Sequence, residues 1–149
     1  MNGTEVRKKG TEKIERYMKH ALLGEVYTTP KPGLVDLQDN GAHQDMDYRT
    51  FEKSTCAIVP YMGQMYEEGA RWTKDPELLF AKIRSIGILA EQKMFDATEG
   101  VNTHKGILFT MGIVAAAAGF FCQKNGYYEM TGILETGQKM CQKTLEREL

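Results

Sequence analysis

The sequence predicts an all-α protein, a compact irregular or orthogonal bundle of about five helices. Three observations carry that. Apolar residues recur at helical spacing in several segments, no run alternates as a half-buried strand would, and the β-branched residues fall inside the helical patterns. With 149 residues, 42% of them hydrophobic and 26% charged, the chain has the usage of one ordinary globular domain. A chain of this size buries roughly 70% of its unfolded surface and needs no covalent staple.

Helix one is expected over 12–26, behind a solvated lead-in at 1–10, with Thr11 as N-cap. Ile14, Tyr17, Met18, Ala21, Leu22 and Val26 form its apolar face, and Glu25 sits at the edge of that face. Residues 28–47 are unlike a helix. Pro30 and Pro32 favour extended geometry before them, Pro32-Gly33 suits a type II turn, and Asn40-Gly41 is a second turn signal. A loop of this length in a compact domain is commonly functional. Helix two starts near 47–48 and turns Phe51, Thr55, Ile58, Val59, Met62 and Met65 or Tyr66 inward, with a kink or restart at Pro60. Residues 67–74 then connect to helix three. Asp75-Pro76-Glu77 opens that helix: a cap, a first-turn proline and a carboxylate at the positive end. It carries Leu78, Leu79, Ile83, Ile86, Leu89, Ala90 and Met94, and it ends before Gly100. A polar loop at 96–105 precedes helix four, GILFTMGIVAAAAGFF, which is apolar almost all round. Its apolar stretch is short for a membrane span and fits a buried core helix. Gly126 breaks the chain, and a last helix over 128–145 carries Ile133, Leu134, Met140 and Leu145.

Charge and cysteine usage narrow the function. With 19 Lys+Arg against 20 Asp+Glu the net charge is -1, so no global basic field exists to hold nucleic acid or an anionic membrane. The N-terminal residues lack an apolar signal core. Three cysteines without CxxC spacing are a poor disulfide framework and read as reduced thiols of a cytoplasmic protein. Three scattered histidines, His20, His43 and His104, make no zinc site with them. The nine methionines read as core.

Polar and special residues concentrate in two loops. The first runs from Thr28 to Met46. Lys31, stiffened between two prolines, suits a fixed cation for an anionic ligand, although a loop lysine is also at home in solvent. Asp36, His43 and Asp45 could hold Mg²⁺ or exchange protons, or serve turn hydrogen bonds alone. The second loop, Gly100-Val101-Asn102-Thr103-His104-Lys105-Gly106, leads into helix four. Free amides and the helix dipole favour a phosphate or carboxylate there; Lys105 adds a charge, and Asn102, Thr103 and His104 add donors. Lys105 precedes Gly106, so this is not a Walker A loop, and a helix cap with a surface lysine is the plainer alternative. Glu91 is either catalytic or a solvated flank of helix three.

The segments EVYTTPKPGLVDLQDNGAHQDM and AEQKMFDATEGVNTHKGILF resemble the two N-terminal signatures of the triphosphoribosyl-dephospho-CoA synthase family. The likeness runs from about Leu22 to Gly119, in order and through uncommon tripeptides. It implies an all-α enzyme that moves the 5-triphosphoribosyl group of ATP to the 2′-hydroxyl of 3′-dephospho-CoA and releases adenine. The product is the prosthetic-group precursor for the acyl carrier protein of citrate lyase or malonate decarboxylase. It also implies, with the residue chemistry, a division of labour. Lys31, Gly33, Asn102, Thr103, His104, Lys105 and Gly106 hold phosphates. Asp36, His43 and Asp45 do metal or proton work, with Asp36 and Asp45 on Mg²⁺, and Glu25 and Glu91 are further carboxylates. Family members are longer, and their later Asp-Thr-Asn and Arg-Gly-Gly segments have no counterpart here. The chain is therefore expected to be the N-terminal half of the family fold. It would act with a second half-chain or as a homo-oligomer that completes the cleft, or as a truncated, non-catalytic module that binds ATP or CoA.

Overall fold

The computed structural model describes residues 3–27 and 48–148. Five helices account for nearly all of them: α1 (Gly3–Tyr27), α2 (Tyr48–Arg71), α3 (Pro76–Ala97), α4 (Lys105–Asn125) and α5 (Met130–Glu148). No strand occurs among the described residues, as the periodicity requires.

The α2–α4 pair is the centre. Gly69 on α2 and Gly119 on α4 let the two backbones meet: a Cβ at Gly69 would overlap the Ala116 carbonyl, and one at Gly119 would overlap the Tyr66 carbonyl. The run Ala115–Ala118 beside them is buried and adds no bulk. α1 packs on the far side of α2 through Ile14, Met18 and Leu22. α3 packs on α2, α4 and α5, with Leu79, Ile83, Ala90 and Met94 inward. α5 closes the bundle with Ile133 and Met140. α4 is long and apolar enough to cross a membrane by length and composition, yet its central turns are buried against these neighbours.

Several expected boundaries move. α1 begins at Gly3, so the lead-in is helical and Thr11 lies inside the helix rather than capping it. The early turns have something to pack on: Tyr66 lies against Gly10, where a Cβ would crowd its hydroxyl. α2 runs through Pro60 without a restart and continues to Arg71, which shortens the connection to 72–75. Pro60 and its i−4 residue Cys56 are both exposed, so the carbonyl left without its donor lies on the wet side of the helix. The end of α2 is closed from α4, where Gln123 Nε2 donates to the carbonyls of Gly69 (2.8 Å) and Trp72 (2.7 Å). Six residues expected inward are instead exposed: Tyr17, Ala21, Leu78, Leu89, Met130 and Leu134. Gly126 is left-handed (φ 80°) and its N–H bonds the Cys122 carbonyl, which ends α4 where the sequence places the break.

Candidate functional site at the turn between α3 and α4

The turn is built by local rules at both ends. After Ala97 the chain passes through Glu99 (φ 57°) and Gly100 (φ 89°), and Gly100 N–H reaches back to the Phe95 carbonyl at 2.8 Å. That is a Schellman closure, with glycine supplying one of the two left-handed residues. Thr98, buried, places its hydroxyl on the carbonyls of Met94 (2.8 Å) and Val101 (2.7 Å) and fastens the turn to α3. At the other end Asn102 Oδ1 accepts the Lys105 N–H at 3.2 Å and so caps the start of α4. The Ile107 and Leu108 amides both bond the His104 carbonyl. Gly106 is exposed, and a Cβ there would meet nothing within 4 Å.

His104 anchors the turn in the core. Its ring is buried, edge-on to Phe51 at 5.2 Å, with Nδ1 2.6 Å from Ser54 Oγ. Thr103 donates its hydroxyl to the same Ser54 oxygen. With Thr103 donating to Ser54, the Ser54 proton is free to serve His104 Nδ1, leaving the ring proton on Nε2. Burial lowers the His104 pKa from 6.5 to about 4, so the ring is neutral near pH 7. The His104 N–H also points at the Met94 sulfur, 3.3 Å away. Three positions of the turn therefore rest on α2 and α3 rather than hanging free.

Lys105 faces outward. Its Nζ lies 3.4 Å from Glu91 Oε1, with the lysine half-exposed and the carboxylate partly buried. A pair this exposed holds only about 0–1 kcal/mol, so an anion can draw the lysine away at little cost. The structure thus brings together Glu91 and Lys105, which the sequence assigned separate tasks, beside the amide end of α4. Asn102 and Thr103 are committed to the turn's own hydrogen bonds. Lys31, Gly33, Asp36, His43 and Asp45 lie outside the described residues. Glu25 lies in α1, and its side chain is likewise outside them.

Ser54 and Phe51 are the site residues that sequence reasoning missed in this role. Phe51 was read as ordinary core. Ser54 carried a legible signal: it falls three residues after Phe51 and four before Ile58, a polar residue on an apolar helix face. Among the described residues no three His, Cys, Asp or Glu side chains gather into a metal-binding set. The Mg²⁺ expected on Asp36 and Asp45 thus has no ligand set in the described part. A groove of about 510 Å³ lies elsewhere, between α1 and α2, lined by Glu12, Glu15, Arg16, Lys19, Cys56, Val59 and Pro60. Glu15 there has its pKa raised, first by burial and then by Glu67 and Glu12. The groove is lined by the middle turns of α1 and α2, without the free amides that the start of α4 offers a triphosphate.

The model of one family, described as ATP:dephospho-CoA triphosphoribosyl transferase, matches residues 11–147. The chain belongs to that family. The likeness read from residues 22–119 extends over nearly the whole chain. A relative from Photobacterium profundum, named a probable 2-(5″-triphosphoribosyl)-3′-dephosphocoenzyme-A synthase, is 42% identical over 131 residues, 87% of this chain and 42% of the relative. A relative of the same name from Escherichia fergusonii, without the word probable, is 40% identical over 137 residues, 91% of this chain and 45% of its own. One from Streptococcus equi subsp. zooepidemicus, again named probable, is 47% identical over 115 residues, 76% of this chain and 39% of its own. The chain spans less than half the length of these relatives. No solved structure matches it.

Proposed function

We propose that this chain carries the triphosphate-binding corner of a transferase that joins ATP to 3′-dephospho-CoA. The observation that carries the reading is the Glu91–Lys105 pair at the amide end of α4, in a chain whose family is described by that reaction. In the proposed step the 2′-oxygen of dephospho-CoA bonds to the ribose C1″ of ATP. The C1″–N bond to adenine breaks, adenine leaves with a proton, and the triphosphate stays on the ribose. Lys105 turns from Glu91 to the triphosphate, beside the α4 N-terminus and Gly106, where no side chain blocks the approach. Glu91, freed of its partner, faces the positive charge that builds at C1″ as adenine departs. His104, neutral and held by Ser54, is assigned to positioning the turn. Lys31, Gly33, Asp36, His43, Asp45 and Glu25 are assigned to the remaining phosphate, proton and metal work.

The chain spans less than half of its relatives, so turnover is assigned to the whole family fold, whose remainder comes from a further stretch of polypeptide, a second half-chain or another copy. A second reading is an ATP- or CoA-binding module without turnover. A cytoplasmic location, and service to citrate lyase or malonate decarboxylase, belong to the proposal as well. Mass spectrometry of the purified chain with ATP, Mg²⁺ and 3′-dephospho-CoA separates the readings. Free adenine and the triphosphoribosyl adduct are the products expected of a sufficient enzyme. ATP binding without adenine fits both the module and a chain that lacks its other half. Adenine release by a full-length chimaera with the Escherichia fergusonii relative then separates those two. Neither binding nor products overturns both readings.

A further inference from the structure

The outer face of α3 is the least expected surface of the molecule. Leu78, Ile88 and Leu89 are 54%, 59% and 58% exposed, although helical periodicity reads two of them as core. At 100° per residue they share one stripe with Ala81, Ser85 and Gln92, all exposed, and between Leu78 and Gln92 no charged residue falls within it; Asp96, which accepts from Gln92, closes its far end. It spans about 100° of the helix and about four turns of its length. Charge returns at its borders, with Lys82 on one side and Glu77, Arg84 and Glu91 on the other. α3 is therefore uncharged on two opposite faces, one against the core and one against water. An apolar stripe with a charged rim is the make-up of a surface that something covers.

Two observations say what covers it. The relatives extend beyond the matched region by more than the length of this chain, since the match takes 42–45% of them. The stripe also borders the candidate site: Ile88 stands one turn before Glu91, the partner of Lys105. We propose that the outer face of α3 seats the polypeptide that supplies the rest of the family fold, through a helix whose apolar side covers Leu78, Ile88 and Leu89. That contact would wall the Glu91–Lys105 corner on its open side. The inference rests on the family reading and deepens it, but its test uses no nucleotide, so failed ATP binding and failed docking are told apart.

The test compares the isolated chain with a full-length chimaera, in which this chain replaces the matched 137 residues of the Escherichia fergusonii relative. Leu89→Cys is introduced into both, and its maleimide labelling rate is read by peptide mass spectrometry. Leu134→Cys on α5, also exposed, is the control. The expected result is labelling of Leu89→Cys slowed by about tenfold or more in the chimaera, with Leu134→Cys unchanged. Equal rates for Leu89→Cys in the two proteins, or protection confined to Leu134→Cys, would overturn the proposal. So would concentration-dependent protection of Leu89→Cys in the isolated chain, which assigns the face to a second copy. The pair Leu78→Asp and Leu89→Asp gives an independent reading: unchanged melting of the isolated chain and a lowered melting temperature of the chimaera. Melting lowered equally in both would place these side chains in the chain's own core and contradict the proposal.

Discussion

Ser54 occupies a place on α2 where an apolar side chain would be ordinary. It is fully buried, and its hydroxyl joins Thr103 to His104 across the helix–turn junction. A buried hydroxyl with two partners fixes geometry that packing alone leaves loose. His104 adds a pH dependence with a definite sign. Its pKa falls from 6.5 to about 4 on folding, so below pH 6.5 the unfolded chain binds a proton that the folded chain refuses. Stability present above pH 6.5 is therefore lost as pH falls through about 4. Denaturant midpoints near neutrality and near pH 4, for the wild type and His104→Asn, isolate this part from that of the carboxylates. The wild type is expected to lose more stability than the variant, and equal losses would show that His104 is not buried neutral. Nothing in the sequence foretold this. A histidine in a polar loop before a helix reads as an exposed donor until Phe51 and Ser54, some fifty positions earlier, are brought beside it.

Among the elements, the helices themselves were legible and their ends were not. α3 opens at Asp75-Pro76 and α4 closes at Gly126, because proline and glycine punctuate locally. The start of α1 escaped, since Gly3–Gly10 has Val6 as its one large apolar side chain, too few for a helical period, and gains its packing from Tyr66, a distant residue. Facing was legible for Leu79, Ile83 and Met94 but not for Leu78 and Leu89, because a helix apolar on two sides gives periodicity no single direction. The closest contact between elements is set by glycine. Gly69→Ala drives a methyl into the Ala116 carbonyl, a backbone atom that cannot step aside. We expect a loss of about 3 kcal/mol in stability by denaturant unfolding, the upper end for overpacking. Gly106→Ala, where a Cβ meets nothing, is the matched control and should cost under about 1 kcal/mol. A loss at Gly69 as small as at Gly106 would mean that α2 and α4 do not cross at these glycines.

At the scale of the whole molecule, five helices set a short, well-tied turn at one edge of a core built around α2 and α4. The same edge carries the Glu91–Lys105 pair and borders the uncharged outer stripe of α3. Family membership was legible from two loop segments alone, and the match over residues 11–147 agrees with it. The gathering of the site was not legible, because the pairing of Glu91 with Lys105 depends on how α3 and α4 pack. In the proposed reaction this corner holds the triphosphate. Calorimetric titration of ATP into the wild type and into Lys105→Ala tests it most directly. Loss of one charge-assisted phosphate contact is worth about 1.5–3 kcal/mol, so the variant should bind ATP at least about tenfold more weakly, with its melting temperature unchanged. Equal affinity in the two proteins would contradict the claim and move the nucleotide away from the α3–α4 turn.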